Sequence, residues 1–174
     1  MSIAVAPPRP AAPTAHPSDE ALALRIRRGD GLALTALVLR YAGPMHGLAR
    51  HFAGTDARAA QVVTQVFARM LDELPKVDVR DSLSLWLWAL AAEACLRARL
   101  PTKPAPLDAT SEAIRQLPPR ARLLWLLHDG AGRSFADLAW IFECPEARVR
   151  AQTHRARLAL ARALSGPAHL RRTA

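Results

Sequence analysis

The segment 134–164 constrains the fold more than any other part of the chain. It begins at a serine whose hydroxyl can cap a helix, and the acidic Asp137 follows three residues later, as in a capping box. Further along, Pro145 lacks a backbone N–H and disfavours helix at the residue before it, yet it suits the first turn of a new helix. The pattern predicts a short helix over 134–142, a turn at the Cys-Pro step and a long helix that ends near Leu164.

The second helix of this segment carries one apolar stripe between two polar edges. Small and apolar residues recur at spacings of three and four, which places them on one face: Val149, Thr153, Ala156, Leu160 and Ala163. Six residues flank the stripe: Arg148, Gln152 and Arg155 on one side, and Arg150, His154 and Arg157 on the other. A helix docked through the stripe would present cations outward, as a reader of the DNA major groove requires. The pattern therefore predicts a DNA-binding helix-turn-helix; the alternative is a helical hairpin with a solvated basic face.

Composition agrees with a helical protein that binds a polyanion. The formal net charge of +9 and the isoelectric point near 11.2 favour nucleic acid first and an anionic membrane surface second. Hydrophobic residues make up 51% of the chain but aromatic ones only 5%, which indicates small helical cores rather than sheets. The N-terminal stretch does not have the pattern of a signal peptide, and no uncharged run reaches about 20 apolar residues. We expect a cytoplasmic protein without membrane insertion.

Residue types that carry chemistry are scattered along the chain. Cys95 and Cys144 lie far apart and lack the clustered Cys/His spacing of a zinc site, so both are predicted to be buried thiols in a reducing compartment. The histidines are not grouped with carboxylates, and neither a phosphate-binding loop nor a glycine fingerprint is present. We therefore expect no metal, no cofactor and no enzymatic activity.

The domain organisation follows from a proline-rich stretch, PTKPAPLDA, which has no helical periodicity and is typical of an interdomain linker. We predict an all-α protein of two small helical domains joined by this short linker, the C-terminal one a helix-turn-helix. The predicted parts are a disordered tail 1–17, an N-terminal domain 18–100, a linker 101–109, a C-terminal domain 110–165 and a basic tail 166–174.

Glycine and proline also divide the N-terminal domain. The Gly43-Pro44 step predicts a break between a helix over 32–41 and a helix over 45–52. A core helix over 57–73 follows.

A very apolar helix is predicted over 83–100, and it carries two tryptophans. Trp86 and Trp88 lie about 200° apart around an ideal helix and cannot share a face. Trp88 is therefore predicted to be exposed or to lie in a partner interface.

Three runs of sequence together resemble one family: LPPRARLLWLLHDGAGRSFADLAWIFECPEARVRAQTHRARLAL, RIRRGDGLALTALVLRYAGPMHGLARHFAGTDARA and LSLWLWALAAEACLRARL. The chain is similar to the extracytoplasmic-function sigma factors of bacterial RNA polymerase from about Asp19 to Leu164. The C-terminal part of the resemblance is the more specific. Residues typical of the family stand at 117–120, at Asp129 and Gly132, at 134–135, at 144–145, at Val149 and at 154–157.

The resemblance implies a function for each domain. The C-terminal domain would dock its second helix on the promoter element near minus thirty-five, with Arg148, Arg150, Gln152, His154, Arg155 and Arg157 as candidate DNA contacts. The N-terminal domain would bind the clamp coiled coil of the largest polymerase subunit and open the promoter near minus ten. The candidate polymerase contacts lie on the core helix: Val62, Val63, Gln65, Val66 and Phe67. Promoter DNA, core RNA polymerase and an anti-sigma factor are the implied partners.

The core helix departs from the family in its charges. Where the family carries several carboxylates, this chain has Arg58, Ala60, Gln61, Thr64 and Gln65. An interface of carboxylates with arginines loses charge-assisted hydrogen bonds and association rate when the carboxylates are absent. Two alternatives to an initiation factor follow. One is a degenerate adaptor or decoy that binds an anti-sigma factor or another regulator; the other is a stand-alone DNA-binding regulator.

Overall fold

The computed structural model describes residues 17–78, 82–98 and 108–165. Throughout these ranges the regular secondary structure is helical: α1 Asp19–Ile26, α2 Gly31–Ala53, α3 Asp56–Glu73, α4 Leu83–Arg97, α5 Ala109–Gln116, α6 Pro119–Trp125, α7 Phe135–Ile141 and α8 Glu146–Ser165. A 3₁₀ turn over Leu74–Lys76 follows α3, and a π-helical turn over Leu126–Gly130 follows α6. The all-α prediction is confirmed. Nearly all of the predicted tails and linker lies outside the described residues, so the domain boundaries remain predictions.

The core helix α3 forms where the apolar periodicity predicts it. Thr55 caps its N-terminus by accepting a hydrogen bond from the Arg58 N–H at 3.3 Å. Six residues at helical spacing are buried: Ala59, Val62, Val63, Val66, Phe67 and Met70. Through this face α3 packs against α2 and α4.

The predicted break at Gly43-Pro44 is wrong, because α2 continues through Pro44 as one helix of 23 residues. A proline inside a helix costs about 3 kcal/mol or more, since its ring displaces one backbone hydrogen bond. Burial on both sides of the proline offsets this cost: Leu37, Tyr41, Met45 and Leu48 all lie in the core. Pro44 and Arg40 are themselves exposed, so the Arg40 carbonyl that loses its helical partner lies on the solvent side.

The expectation that Trp88 is exposed or meets a partner is also wrong. Trp88 is only 3% exposed, and its ring meets the Tyr41 ring edge-on at 6.4 Å between centroids. The reason is the central position of α4, which contacts α1, α2 and α3 and also α6 and α7. Opposite faces of α4 are therefore covered, and Trp86 on the other face is half-buried.

The helices α5, α6 and α7 pack against α8, and the buried residues of these four helices continue into the core formed by α1–α4. Two arginines connect the two groups. Arg122 of α6 donates to the His51 carbonyl of α2 at 2.8 Å, and its guanidinium lies 5.0 Å from the Phe52 ring centroid. Arg133 donates to the Ser84 hydroxyl at 3.4 Å and lies 5.8 Å from the Trp88 ring centroid.

Candidate nucleic-acid interface

The turn between α7 and α8 is built from caps and one unusual backbone conformation. The Ser134 hydroxyl accepts from the Asp137 N–H at 3.0 Å, and the Asp137 carboxylate accepts from the Ser134 N–H at 3.0 Å, so the predicted capping box is present. At the end of α7, Glu143 adopts a left-handed φ of 48°. The chain then reverses at Pro145 and enters α8 at Glu146. The predicted helix-turn-helix is confirmed.

One face of α8 docks on the other helices. Val149, Thr153, Ala156 and Leu160 are buried against α5, α6 and α7, as the stripe predicts. Ala163, the fifth residue of the predicted stripe, is exposed, and the buried part of α8 ends at Leu160. The first fifteen residues of α8 are therefore fixed in orientation by the core.

The opposite side of α8 presents the predicted DNA-binding residues. Five of them are exposed and the sixth, Gln152, is half-buried. The exposed five are Arg148, Arg150, His154, Arg155 and Arg157. The structure thus brings all six together on one helix, on the side that the core leaves uncovered.

The arginines of α8 differ in what holds them. Arg157 donates from Nε and Nη2 to the Asp129 carboxylate, at 3.1 Å and 2.6 Å to Oδ1. This contact ties α8 to the π-helical turn and raises the pKa of Arg157. Arg150 lies 4.5 Å from the Phe135 ring centroid and donates from Nε to Glu146 at 3.0 Å. Within the described part of the chain, Arg155 donates only to a carbonyl of its own helix, that of Ala151, at 3.2 Å.

Two solved structures share this fold. CnrH, solved in complex with the cytosolic domain of CnrY, superposes with a TM-score of 0.72 at 21% identity over 84% of this chain and 96% of that chain. The sigma factor RpoE, solved in complex with the anti-sigma factor NepR from Bartonella quintana, gives a TM-score of 0.63 at 18% identity over 75% of this chain and 96% of that chain.

Sequence comparison finds two similarities to sigma factors. The family model for sigma-70, region 4 matches residues 107–160. The RNA polymerase sigma-H factor of Pseudomonas aeruginosa is 27% identical over 181 residues, which cover 84% of this chain and 93% of the relative. Residues 107–160 therefore form a sigma-70 region 4 domain, and most of the chain is similar to a sigma factor. The region 4 match contains α5, α6, α7 and all of the docked part of α8.

One exposed cation next to α8 was not singled out as a DNA contact from the sequence. Arg120, at the start of α6, lies 5.3 Å from the Phe142 ring centroid and lines a groove of about 410 Å³ together with Gln152 and Arg155. The Leu-Pro-Pro-Arg run indicates a helix that begins at the second proline, and α6 does begin there. Because α6 packs against α8, the side chains of its first turn lie beside that helix. The basic surface of this protein is therefore wider than α8 alone.

The predicted polymerase contacts on α3 lie mostly on its packed face. Val62, Val63, Val66 and Phe67 are buried in the apolar face by which α3 packs on its neighbours. Val62 and Val66 also line a surface pocket together with Gln61 and Gln65, so their role as polymerase contacts remains a prediction. Gln65 alone of the five is exposed, and the surface around it is formed by Ala60, Gln61, Thr64 and Ala68. The exposed face of α3 at these positions is uncharged.

Two further findings concern the described ranges only. No group of three or more metal-ligating side chains occurs in them. None of their helices has the length and apolar character needed to cross a membrane.

Proposed function

We propose that this protein is a sigma factor that directs bacterial core RNA polymerase to specific promoters, with α8 reading the upstream element from the major groove. The observation that carries the proposal is the division of α8 into a docked face and an exposed face. The docked face fixes the helix, and the exposed face carries five cationic or potentially cationic side chains within ten residues, from Arg148 to Arg157. An α-helix of this kind fits the major groove, where arginines can contact phosphates or guanine edges.

The contacts made by each arginine suggest different roles. Arg155 has no carboxylate partner among the described residues and can give its full charge to DNA. Arg157 is held by Asp129, so we assign it first to fastening α8 and only second to DNA. A cation that neutralises a phosphate releases counterions, and each such contact contributes about 0.9 to the slope of log K against log salt.

The experiment measures the affinity of the full chain for promoter duplexes by fluorescence anisotropy over a series of salt concentrations. Arg155→Ala should weaken binding and reduce the salt slope by about 0.9. The matched control is Arg28→Ala, which removes one exposed arginine from the turn after α1, outside the helix-turn-helix, and should leave the slope unchanged. An unchanged slope for Arg155→Ala rejects the assignment of α8 as the reader.

The initiation activity itself is tested with core RNA polymerase in run-off transcription. We expect stable association with the core enzyme and a specific start site that depends on the chain. Absence of both would contradict the proposal. Initiation would place the protein in the cytoplasm, and it requires no enzymatic reaction of this chain itself.

A second candidate function is favoured by the lack of charge at the exposed positions around Gln65 on α3, which are 60, 61, 64 and 68. In this reading the chain is an adaptor that binds an anti-sigma factor or another regulator and engages polymerase weakly. The test introduces carboxylates at two exposed positions, Gln61→Asp and Gln65→Glu, and compares the affinity for core polymerase with that of the native chain. The adaptor function predicts weak native binding that the added carboxylates strengthen, whereas tight native binding with accurate initiation excludes it.

Regulation by an anti-sigma factor is part of the first proposal. The fold neighbour RpoE was solved bound to such a protein. A purified candidate inhibitor should compete with core polymerase for this chain, and co-elution of all three components would argue against that regulation.

A further inference from the structure

A three-layer stack lies between the turn after α6 and the first part of α8. The ring centroids of His128 and Phe135 are 4.0 Å apart with an interplanar angle of 25°. The Arg150 guanidinium lies 4.5 Å from the same Phe135 centroid. One face of a phenyl ring has room for only one planar group at such a distance, so the imidazole and the guanidinium occupy opposite faces.

Both ends of the stack are anchored. His128 Nδ1 donates to the Arg133 carbonyl at 2.6 Å, which fixes the imidazole to the loop before α7. At the other end Arg150 donates from Nε to the Glu146 carboxylate at 3.0 Å and contacts the same oxygen through Nη2. The chain of contacts runs from the loop through two rings to the guanidinium and ends on the first turn of α8.

The anchoring leaves one edge of the guanidinium available. Arginine has five N–H donors in a rigid planar fork, and Glu146 takes Nε and one hydrogen of Nη2. The terminal edge, with Nη1 and the second hydrogen of Nη2, remains for a planar bidentate partner. Guanine offers such a partner through O6 and N7 in the major groove.

The other arginines described on α8 have no ring contact of this kind. Arg155 is bound to its own backbone, and both of the Arg157 nitrogens that meet Asp129 lie along one carboxylate. A free arginine side chain must be ordered when it binds a base, and a side chain that is already ordered avoids this loss of entropy.

We propose that Phe135 is a positioning residue for promoter reading, which holds the Arg150 guanidinium in one plane so that it discriminates a single base pair. The inference rests on the proposed function, because it requires α8 to enter the major groove. Phe135 does not touch DNA in this scheme; it acts through Arg150, with His128 behind the ring and Glu146 beside the guanidinium.

The experiment measures the affinity of the full chain for a set of upstream duplexes in which each base pair is changed in turn. Phe135→Leu keeps apolar bulk but removes the ring, and it should reduce discrimination at one base pair by about 3- to 10-fold. Arg150→Ala should abolish discrimination at that same base pair. Adding Phe135→Leu to Arg150→Ala should cause no further loss, and Phe135→Tyr, which keeps the ring face, should restore the native profile.

Trp140→Leu is the matched control. It removes another aromatic ring of the same hairpin, which is 49% exposed and on which no guanidinium stacks among the described residues, and it should leave the base profile unchanged. Partial unfolding lowers the affinity for all duplexes equally, so the ratio between duplexes separates positioning from stability. Should Phe135→Leu fail to fold, Glu146→Ala removes the other support of Arg150 and should relax the same base pair.

The outcomes separate the two proposals. If the native chain prefers no duplex over random sequence, the proposed function fails. If the native chain has a preference that Arg150→Ala relaxes, but both Phe135→Leu and Glu146→Ala leave the base profile intact, the positioning role is overturned while the proposed function stands.

Discussion

Replacing Arg122 by methionine should destabilise the protein strongly, because this arginine caps two helix ends at once. Its guanidinium donates to the His51 carbonyl near the end of α2, at 2.8 Å, and to the Leu117 carbonyl after α5, at 3.0 Å. It also donates to the Arg115 carbonyl in the last turn of α5. The last carbonyls of a helix have no partner within the helix, and the two residues after Leu117 are prolines without an N–H. No backbone donor from that step can replace the arginine.

The magnitude follows from these contacts. A hydrogen bond to a charged group contributes about 1.5–3 kcal/mol, and a buried carbonyl left without a donor costs about 1–3 kcal/mol. Arg122 is only 6% exposed, and this burial, followed by the charge of Arg115, lowers the pKa of its guanidinium. Methionine removes the desolvation cost of that buried charge and keeps most of the apolar stem, which offsets part of the loss. The net destabilisation should be about 3 kcal/mol.

Urea denaturation followed by tryptophan fluorescence measures this change. With a slope of about 2 kcal/mol per molar urea, the midpoint should fall by about 1.5 M. The matched control is Arg120→Met, two residues earlier on α6, where the arginine is exposed and also stacks on a phenylalanine ring. The control should lose less than about 1 kcal/mol, as exposed side chains usually do. An equal, small loss for both variants would refute the capping argument.

Three further predictions concern the turn and its surroundings. Glu143→Gly should stabilise the protein by about 0.5–1 kcal/mol in urea denaturation, because glycine adopts the left-handed φ of 48° without strain; Glu143→Ala should bring no such gain. Ser134→Ala removes one half of the capping box and should cost about 1 kcal/mol, whereas a neutral result would show that the box contributes nothing. Burial, with the charges of Arg122 and Arg50, lowers the pKa of His51 below its usual 6.5. As the pH falls, the unfolded chain therefore binds a proton at this histidine before the folded chain does, and the free energy of unfolding should decrease from about pH 6.5 down to the folded pKa. His51→Gln should reduce that drop, while the exposed His154→Gln should not change it; equal behaviour of the two variants would contradict the argument.

Much of the fold could be predicted from the sequence because its signals act over a few residues. The capping serine, the proline at the turn and the stripe on α8 are signals from neighbours in the chain, and the structure contains the cap, the turn and the stripe as far as Leu160. The same holds for the side of α8 on which the predicted DNA-binding residues lie. The sequence by itself therefore determined the helix-turn-helix and the outward direction of its cations.

The tertiary structure decided what depends on distant residues. Burial of both flanks carries α2 through Pro44, and helices on two sides cover Trp88, although each local signal indicated otherwise. The partner of Arg157 is 28 residues away and that of Arg122 is 71 residues away. The packing of helices and loops that are distant in the sequence determines whether an arginine is free, paired with a carboxylate or stacked on a ring. The periodicity of one helix does not reveal these contacts. For this reason the six candidate contacts looked alike in the sequence, and only the fold distinguished a fastened Arg157 from an oriented Arg150.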